Sequence, residues 1–213
     1  MVVSLISRAL GERTADGAED RTTDRIVDAA LRQFELFGVA RTTVEQITKH
    51  SGLARVTLYR RFPGKQHLVE AVVLREVRHF LDRLDGRLDQ LSTPEEKIAE
   101  GFVFTLESIR SHVLLSRLLD AEPESVLRYF TVEGGPVVAA ARDYLVERVA
   151  KDFPQGARNR AELAVATELV VRLVISFLLT PQSVAALDDA DAAREFAGRY
   201  LAPLLRGDGA ADA

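Results

Sequence analysis

Apolar residues recur at intervals of three and four along this chain of 213 residues, and no segment keeps the apolar/polar alternation of a half-buried strand. A period near 3.6 residues places apolar side chains on one face of a helix, whereas a strand needs a period of two. The sequence therefore predicts an all-α fold of about nine helices. Its 47% hydrophobic and 28% charged residues are typical of a globular protein.

Local start and stop signals divide this pattern into segments. Gly38 is a stop signal for the first helix, Thr43 and Gln46 have the spacing of a capping box, and Thr93-Pro94 begins a later helix. The buried stripe predicted for the first helix is Ile26, Ala30, Phe34 and Phe37. The predicted helices are 23–37, 44–51, 54–62, a long one from 65 to 81 or as far as 91, 94–111, 114–121, 136–152, 158–180 and 189–205.

Charge is distributed unevenly along the chain. Residues 21–65 carry nine Lys/Arg against four Asp/Glu, whereas residues 66–213 carry 17 against 24. A basic module beside an acidic body indicates a polyanionic partner for the first and not for the second. The predicted organisation is a disordered tail at 1–20, a basic N-terminal domain at 21–66, a larger acidic helical domain at 67–206 and a frayed tail at 207–213.

Composition excludes several classes of function. The chain has no cysteine, so it has no disulfide framework and no thiolate metal site, and we expect a cytoplasmic location. The N-terminal residues lack the features of a secretory signal, and the most apolar segment, 173–179, is far shorter than a membrane span of about 20 residues. We therefore expect no membrane partner.

No pattern predicts catalysis or metal binding. The four histidines lack metal-ligand spacing, and no Ser-His-Asp arrangement is indicated. Asp82, Asp85 and Asp89 share one helical side, which is more typical of a solvated face than of a cation site. We predict no enzymatic activity, no metal and no cofactor.

The segment 42–73 contains two short helix patterns joined at Ser51-Gly52-Leu53, and the second carries several cations. This arrangement is typical of a helix-turn-helix that binds DNA. On a helical wheel Ala54, Leu58 and Phe62 fall on the side that packs, and Val56 and Arg60 fall opposite them. That outward strip fits a major groove, where a guanidinium recognises guanine and Val56 contacts a thymine methyl.

Phosphate contacts are predicted on both sides of the strip. The N-termini of the second and fourth helices offer backbone amides to phosphates, beside Thr43 and Lys65 respectively. Arg61 lies closer to the packed side and is predicted to reach a flanking phosphate rather than a base. The predicted DNA-contacting residues are Thr42, Thr43, Arg55, Val56, Thr57, Tyr59, Arg60, Arg61 and Lys65.

This segment resembles the DNA-binding domain of the tetracycline-repressor (TetR) family of bacterial transcription regulators. The family pattern is close to TTV-x-x-I-A-x-x-A-G-V-S-x-G-T-L-Y-x-H-F-x-x-K-x-x-L. The resemblance covers about residues 22–73, roughly a quarter of the chain. The matching residues are Thr42, Thr43, Val44, Ile47, Gly52, Thr57, Leu58, Tyr59, Phe62, Lys65 and Leu68.

Three residues depart from the family pattern. Ala54 replaces a common serine and removes a helix N-cap unless Ser51 or a water takes its place. Val56 replaces a common glycine, and Arg61 replaces a common histidine and adds a permanent charge. We expect these changes to alter the DNA sequence that is recognised.

The resemblance implies a repressor that binds double-stranded DNA as a homodimer and is released by a small-molecule effector. It makes residues 21–66 the DNA-binding domain and residues 67–206 the effector-binding and dimerisation domain. Because apolar residues dominate the body, we expect an apolar or amphipathic effector, although any one of these residues is more commonly ordinary core. The candidate ligand-contacting residues are Phe102, Leu106, Ile109, Arg110, Leu118, Tyr129, Phe130, Arg142 and Leu145.

The last two predicted helices carry a second apolar stripe with small residues that allow close helix packing. The candidate dimer-interface residues are Val165, Leu169, Arg172, Ile175, Leu179, Phe196 and Tyr200. The alternative hypothesis is an all-α enzyme or a helical interaction module whose basic segment contacts an acidic protein. The salt dependence of DNA binding distinguishes the two.

Overall fold

The computed structural model describes residues 21–121, 123–152 and 159–206. No strand occurs among these residues, and the predicted all-α fold is confirmed. The two predicted tails lie outside the described residues. The helices are α1 Arg21–Phe37, α2 Val44–Ser51, α3 Arg55–Arg61, α4 Lys65–Leu88, α5 Pro94–Arg110, α6 Val113–Ala121, α7 Pro123–Phe130, α8 Gly135–Asp152, α9 Arg160–Leu179, α10 Ala190–Phe196 and α11 Ala202–Arg206, with a π-helical turn at Ala197–Leu201 between the last two.

The helix ends follow their local signals. Gly38 has a φ of 80°, a left-handed conformation that glycine adopts without strain, and α1 ends before it. Thr43 and Thr93 each form the predicted capping box, with Gln46 and Glu96 respectively. The short helix α7 is not among the predicted helices. It begins at Pro123, and proline interrupts a helical pattern in the sequence although it is favoured in the first turn of a helix.

The described residues pack as two compact units. The first contains residues 21–79 and His112–Glu133, and the second contains Phe80–Ser111 and residues 134–206. This division differs from the single boundary predicted after residue 66. The reason is that Leu114 of α6 is buried in the core of the first unit and Leu118 packs against that core. Helix α4 contributes residues to both units.

The core of the first unit joins α1 to the helix-turn-helix. Ile26, Phe34, Ile47 and Leu58 are completely buried and belong to one apolar cluster. The predicted stripe of α1 is correct except at Phe37, which is 50% exposed because it is the last residue of the helix. Burial of this cluster orients α2 and α3 relative to α1.

Two polar contacts hold α4 within the first unit. Arg75 Nη1 donates to Asp28 Oδ1 of α1 at 2.7 Å, and His112 Nε2 lies 3.5 Å from Glu76 Oε2. The hydrogen bond from His112 lowers the pKa of Glu76, and burial opposes that shift. Because His112 Nδ1 accepts the Leu115 amide at 3.4 Å, the proton of a neutral ring belongs on Nε2, facing Glu76.

The core of the second unit is formed by α5, α8, α9 and the final helical segments. Phe102 of α5 stacks on Phe196 at 5.7 Å between ring centroids and meets the edge of Phe177 at 6.4 Å. Leu163 of α9 and Leu201 of the π-helical turn are buried in the same cluster. Among the residues that the structure describes, no helix combines the length and hydropathy that crossing a membrane requires.

A charged network ties α4 to α8 within the second unit. Arg148 lies 3.2 Å from Asp85 and 2.6 Å from Asp89, and the Tyr144 hydroxyl donates to Asp85 at 2.6 Å. The predicted solvated face is therefore wrong at Asp85, whose side chain is only 17% exposed. Lys97 pairs with Asp152 of α8 at 2.7 Å and adds α5 to the network.

Candidate nucleic-acid interface

The helix-turn-helix is held by short-range contacts around its turn. The Gln46 amide donates to Thr43 Oγ1 at 3.2 Å, and the Thr43 amide donates to Gln46 Oε1 at 2.7 Å. Gly52 has a φ of 65° and ends α2 in the left-handed conformation. Arg25 of α1 donates to the Ser51 carbonyl at 3.0 Å, so the turn is fixed to the first helix.

Helix α3 has one packed face and one face toward solvent. Leu58 is completely buried and Phe62 is 9% exposed, as the helical wheel predicts. Ala54, predicted on the same side, is exposed because it precedes the helix as its N-cap residue. On the opposite face Val56 is 77% exposed and Arg60 is also exposed. The predicted outward strip is thus present on the surface.

Arg55, at the start of α3, is engaged by two neighbours. Its guanidinium lies 3.1 Å from the carboxylate of Glu45 on α2 and 5.2 Å from the centroid of the Tyr59 ring. The side chains of Arg55 and Glu45 are 66% and 58% exposed, so this ion pair is solvated and weak. The sequence analysis missed Glu45, because nothing in the spacing of the two helices indicates which residues face each other across the turn.

Two of the predicted DNA-contacting residues have structural roles. Thr42 is 1% exposed, and its hydroxyl donates to the carbonyls of Gln33 at 3.0 Å and Gly38 at 2.8 Å. Arg61 Nη1 donates to Thr23 Oγ1 of α1 at 2.9 Å. Thr42 therefore closes the loop after α1, and Arg61 ties α3 to α1. The DNA contacts expected of these two residues stay predictions.

The remaining predicted contacts lie around the strip. Thr57 and Tyr59 are half-buried on its flanks, and Thr43 is exposed at the start of α2. Lys65 begins α4, and its Nζ donates to the Ala40 carbonyl at 3.0 Å. This bond holds the ammonium group near the loop between α1 and α2, beside the helix-turn-helix.

The N-terminus of α3 lacks a side-chain cap. Ala54 has a φ of −67° and a ψ of 142°, which suit an N-cap residue, but its methyl side chain cannot accept a hydrogen bond. Ser51, the possible substitute, is 6% exposed and its hydroxyl donates to the Thr48 carbonyl at 2.9 Å. Ser51 therefore does not replace the missing cap.

The candidate ligand-contacting residues are distributed over both units. Leu106 and Arg110 line a groove in the second unit, whereas Phe102 and Leu145 belong to its core. Arg142 lies on another surface, paired with Asp143. Ile109 is half-buried on α5, whereas Leu118 and Phe130 lie in the first unit. The side chain of Tyr129 lies outside the described residues.

The candidate dimer residues lie mostly on the surface. Val165 is 63%, Leu169 47% and Tyr200 55% exposed, and the Arg172 side chain is 60% exposed. Ile175 and Leu179 are half-buried, and Phe196 packs into the aromatic cluster of the core. On this face Arg172 hydrogen-bonds Glu168 at 2.8 Å and lowers the pKa of that carboxyl.

Within the described ranges, no group of three or more His, Asp or Glu side chains is arranged to hold a metal ion. Apart from the Glu45 carboxylate, the side-chain polar atoms described above on and beside α3 are guanidinium, hydroxyl and ammonium donors. These donors suit anionic phosphates and the acceptor edges of bases.

Comparisons with known proteins cover both units. The family model for bacterial regulatory proteins of the tetR family matches residues 26–72, and that for the bacterial tetracyclin repressor C-terminal domain matches residues 94–199. An uncharacterised HTH-type transcriptional regulator of Mycobacterium tuberculosis is 27% identical over 182 residues, 85% of this chain and 84% of that protein. The HTH-type transcriptional repressor KstR2 of Mycolicibacterium smegmatis is 34% identical over 90 residues, 40% of this chain and 42% of KstR2. The crystal structure of the TetR family repressor AlkX from Dietzia sp. is similar with a TM-score of 0.59 and 24% identity, covering 87% of this chain and 97% of AlkX.

Proposed function

Because the chain belongs to the tetR family of bacterial regulatory proteins, we propose that it is a sequence-specific DNA-binding regulator of transcription. The observation that carries this proposal is the solvent-facing strip of α3. Val56 and Arg60 are exposed on a helix whose other face is fixed in the core by Leu58. A rigid helix with an exposed cation and an exposed apolar side chain is suited to base recognition.

Helix α3 fits the major groove by size. An α-helix with its side chains is about 10 to 12 Å across, and the groove is about 12 Å wide. Arg60 donates two parallel hydrogen bonds to guanine, and Val56 contacts a thymine methyl. The hydroxyls of Thr57 and Tyr59 and the ammonium of Lys65 bind phosphates on either side and so set the register of the helix.

The regulator acts as a homodimer in this proposal. The exposed apolar side chains Val165 and Leu169 lie on α9 opposite its buried residues Leu163 and Val170. A helix that is apolar on both faces needs a partner for the outer one. A second copy of the chain supplies that partner. The dimer then carries two helix-turn-helix segments, each called a reading head below, for half-sites about 34 to 36 Å apart.

The output proposed is repression that a small apolar or amphipathic effector relieves. Similarity to the repressor KstR2 over 90 residues supports the first part. An effector changes DNA affinity only by its differential affinity for the DNA-bound and free conformations. Helix α4, which supplies residues to both units, is the covalent link for that coupling.

Selection of bound fragments from a random DNA pool tests the proposed function. We expect enrichment of a near-palindromic site, and we expect its affinity to fall by at least about two orders of magnitude between 50 and 200 mM salt. Failure to enrich any sequence, together with salt-insensitive binding, would exclude a DNA-reading role and favour the interaction-module alternative.

A further inference from the structure

A groove of about 410 Å³ lies in the second unit between the C-terminal half of α5 and the start of α10. Its floor is apolar and already part of the core: Val103, Leu106, Leu187 and Ala193 are all at most 6% exposed. The volume falls within the range of about 300 to 1,000 Å³ that is usual for small-molecule sites. The groove is open to solvent along its rim.

Polar groups gather at one end of this groove. Arg110, in the last turn of α5, donates from Nη1 to the Leu187 carbonyl at 2.8 Å and lies 3.0 Å from the Asp188 carboxylate. Its Nη2 is buried and has no hydrogen-bond partner in the part of the chain that the structure describes. Of the two terminal guanidinium nitrogens, Nη1 therefore has partners among the described residues and Nη2 does not.

The ion pair between Arg110 and Asp188 contributes little free energy. The Asp188 side chain is 89% exposed, so water competes for its carboxylate and little free energy holds it on Arg110. A carboxylate seated in the groove is less hydrated, and it can accept from Nη1 and Nη2 together in the bidentate geometry that a guanidinium favours. In the proposed complex the guanidinium turns toward the groove, and Nη2 donates to the ligand carboxylate.

The other lining residues determine the net charge and the apolar part of the ligand that fits the groove. Glu107 lines the same rim, so with Asp188 it places two carboxylates around a single arginine. Because the two carboxylates outnumber the one guanidinium, an anion is favoured only where its carboxylate displaces Asp188, and any further negative charge on the ligand is repelled. The floor favours a hydrocarbon body. We infer that the groove binds a small apolar monocarboxylate, whose carboxylate replaces Asp188 on Arg110.

This site deepens the proposed function, because it names the chemical class of the effector. Asp188 immediately precedes Asp189, which caps α10 by accepting the Ala192 amide at 2.8 Å. Ligand binding therefore releases a contact at the beginning of the final helical segment. That segment carries Tyr200 of the candidate dimer interface.

Isothermal titration calorimetry of the 213-residue chain with octanoate tests the site, and octanol serves as the uncharged comparison ligand. We expect octanoate to bind at least about 10-fold more tightly than octanol, and Arg110→Gln to weaken octanoate by at least about 10-fold. Asp188→Asn removes the competing carboxylate and should tighten octanoate binding several-fold. Arg128→Gln, which neutralises an exposed arginine of the first unit, is the matched control and should leave the affinity unchanged.

Circular dichroism and the thermal midpoint of each variant separate loss of the site from loss of folding. Equal affinities for octanoate and octanol, no octanoate binding to the folded wild type, or an unaltered affinity in folded Arg110→Gln would each overturn the inference. DNA selection is measured independently. DNA binding without octanoate binding rejects only this site, whereas octanoate binding without DNA binding rejects the proposed function and keeps the site.

Discussion

The three arginines of α3 have different surroundings. Arg60 faces solvent, Arg55 is shared between Glu45 and the Tyr59 ring, and Arg61 donates to Thr23. A base or phosphate gains most from the cation that breaks no protein contact when it binds. Arg60 is therefore the side chain of α3 on which we expect base preference to depend most.

Arg60→Ala and Lys65→Ala should separate base recognition from phosphate binding. The first should cost about 1 to 3 kcal/mol on the selected site and relax base preference, because a bidentate contact is lost. The second should weaken selected and random duplexes alike and reduce the salt slope by about one.

Fluorescence anisotropy with both duplexes at several salt concentrations measures these effects. Arg128→Ala, on α7 and outside the candidate interface, controls for loss of a positive charge. If Arg60→Ala and Lys65→Ala reduced binding to both duplexes in the same proportion, the roles assigned to the two residues would be wrong.

Ala54→Ser should stabilise the first unit. Position 54 already has N-cap backbone angles, and serine supplies an acceptor for the amides that begin α3. The expected gain in unfolding free energy is about 0.5 to 2 kcal/mol. Urea denaturation followed by circular dichroism measures it, with Ala54→Val as a control that adds bulk without an acceptor. A gain in the valine variant equal to that of serine would contradict the capping explanation.

At the scale of elements, single helices serve different neighbours along their length or around their circumference. Helix α4 uses Arg75 and Glu76 in the first unit and Asp85 in the second. Helix α9 buries Leu163 in the core and leaves Leu169 exposed. The amino-acid choice at each turn therefore reflects its particular partner rather than the helix as a whole.

The contact between Glu76 of α4 and His112, the residue before α6, should make stability depend on pH. Since His112 lowers the pKa of Glu76, the stabilisation is fully present above the ordinary glutamate pKa and is lost as pH falls through the lowered value. Glu76→Gln should cost about 1 kcal/mol or less at neutral pH, because solvent screens this partly exposed pair.

Thermal midpoints of wild type and Glu76→Gln, measured from neutral to acidic pH, check this expectation. The difference between the two proteins should shrink as the carboxyl becomes protonated. Glu35→Gln, a half-exposed position on α1, controls for removal of one negative charge. A difference that stays constant down to the acidic limit would show that the contribution of Glu76 does not depend on its ionisation.

At the scale of the whole molecule, charge and exposed apolar surface have separate locations along the chain. The net charge is −4, yet residues 21–65 carry an excess of cations. The exposed apolar residues of α9 belong to the acidic second unit. An acidic body repels DNA, so the attraction is concentrated on the reading head. The dimerisation that we propose uses a different surface.

Leu169→Glu should convert the proposed dimer to a folded monomer. The substitution places a charge on the exposed face of α9 and leaves the buried face intact. Sedimentation velocity measures the change in mass. The same variant should bind the palindromic site about 10²-fold or more weakly, since the second reading head is no longer linked to the first. Leu127→Glu, at a 41% exposed leucine of α7, is the matched control. An unchanged sedimentation coefficient for Leu169→Glu would place the dimer interface elsewhere.

Much of the candidate interface could be predicted from the sequence because its signals act over a few residues. The capping box of Thr43 and Gln46, the left-handed Gly52 and the buried Leu58 each depend on neighbours within one or two helical turns. Helical periodicity likewise predicted the all-α class. It also predicted that Val56 and Arg60 lie on the exposed face of α3. Such effects are encoded locally, and one sequence is enough to derive them.

Only the tertiary structure decided which distant residues meet. The Arg61–Thr23 bond spans 38 positions, and Arg110 reaches Leu187 across 77. Burial of Leu114 with α1 assigned α6 to the first unit, although its local pattern is that of any amphipathic helix. Periodicity predicts that one face of a helix will be buried, but it does not predict which element packs against that face. The choice of partner depends on the packing of all helices together.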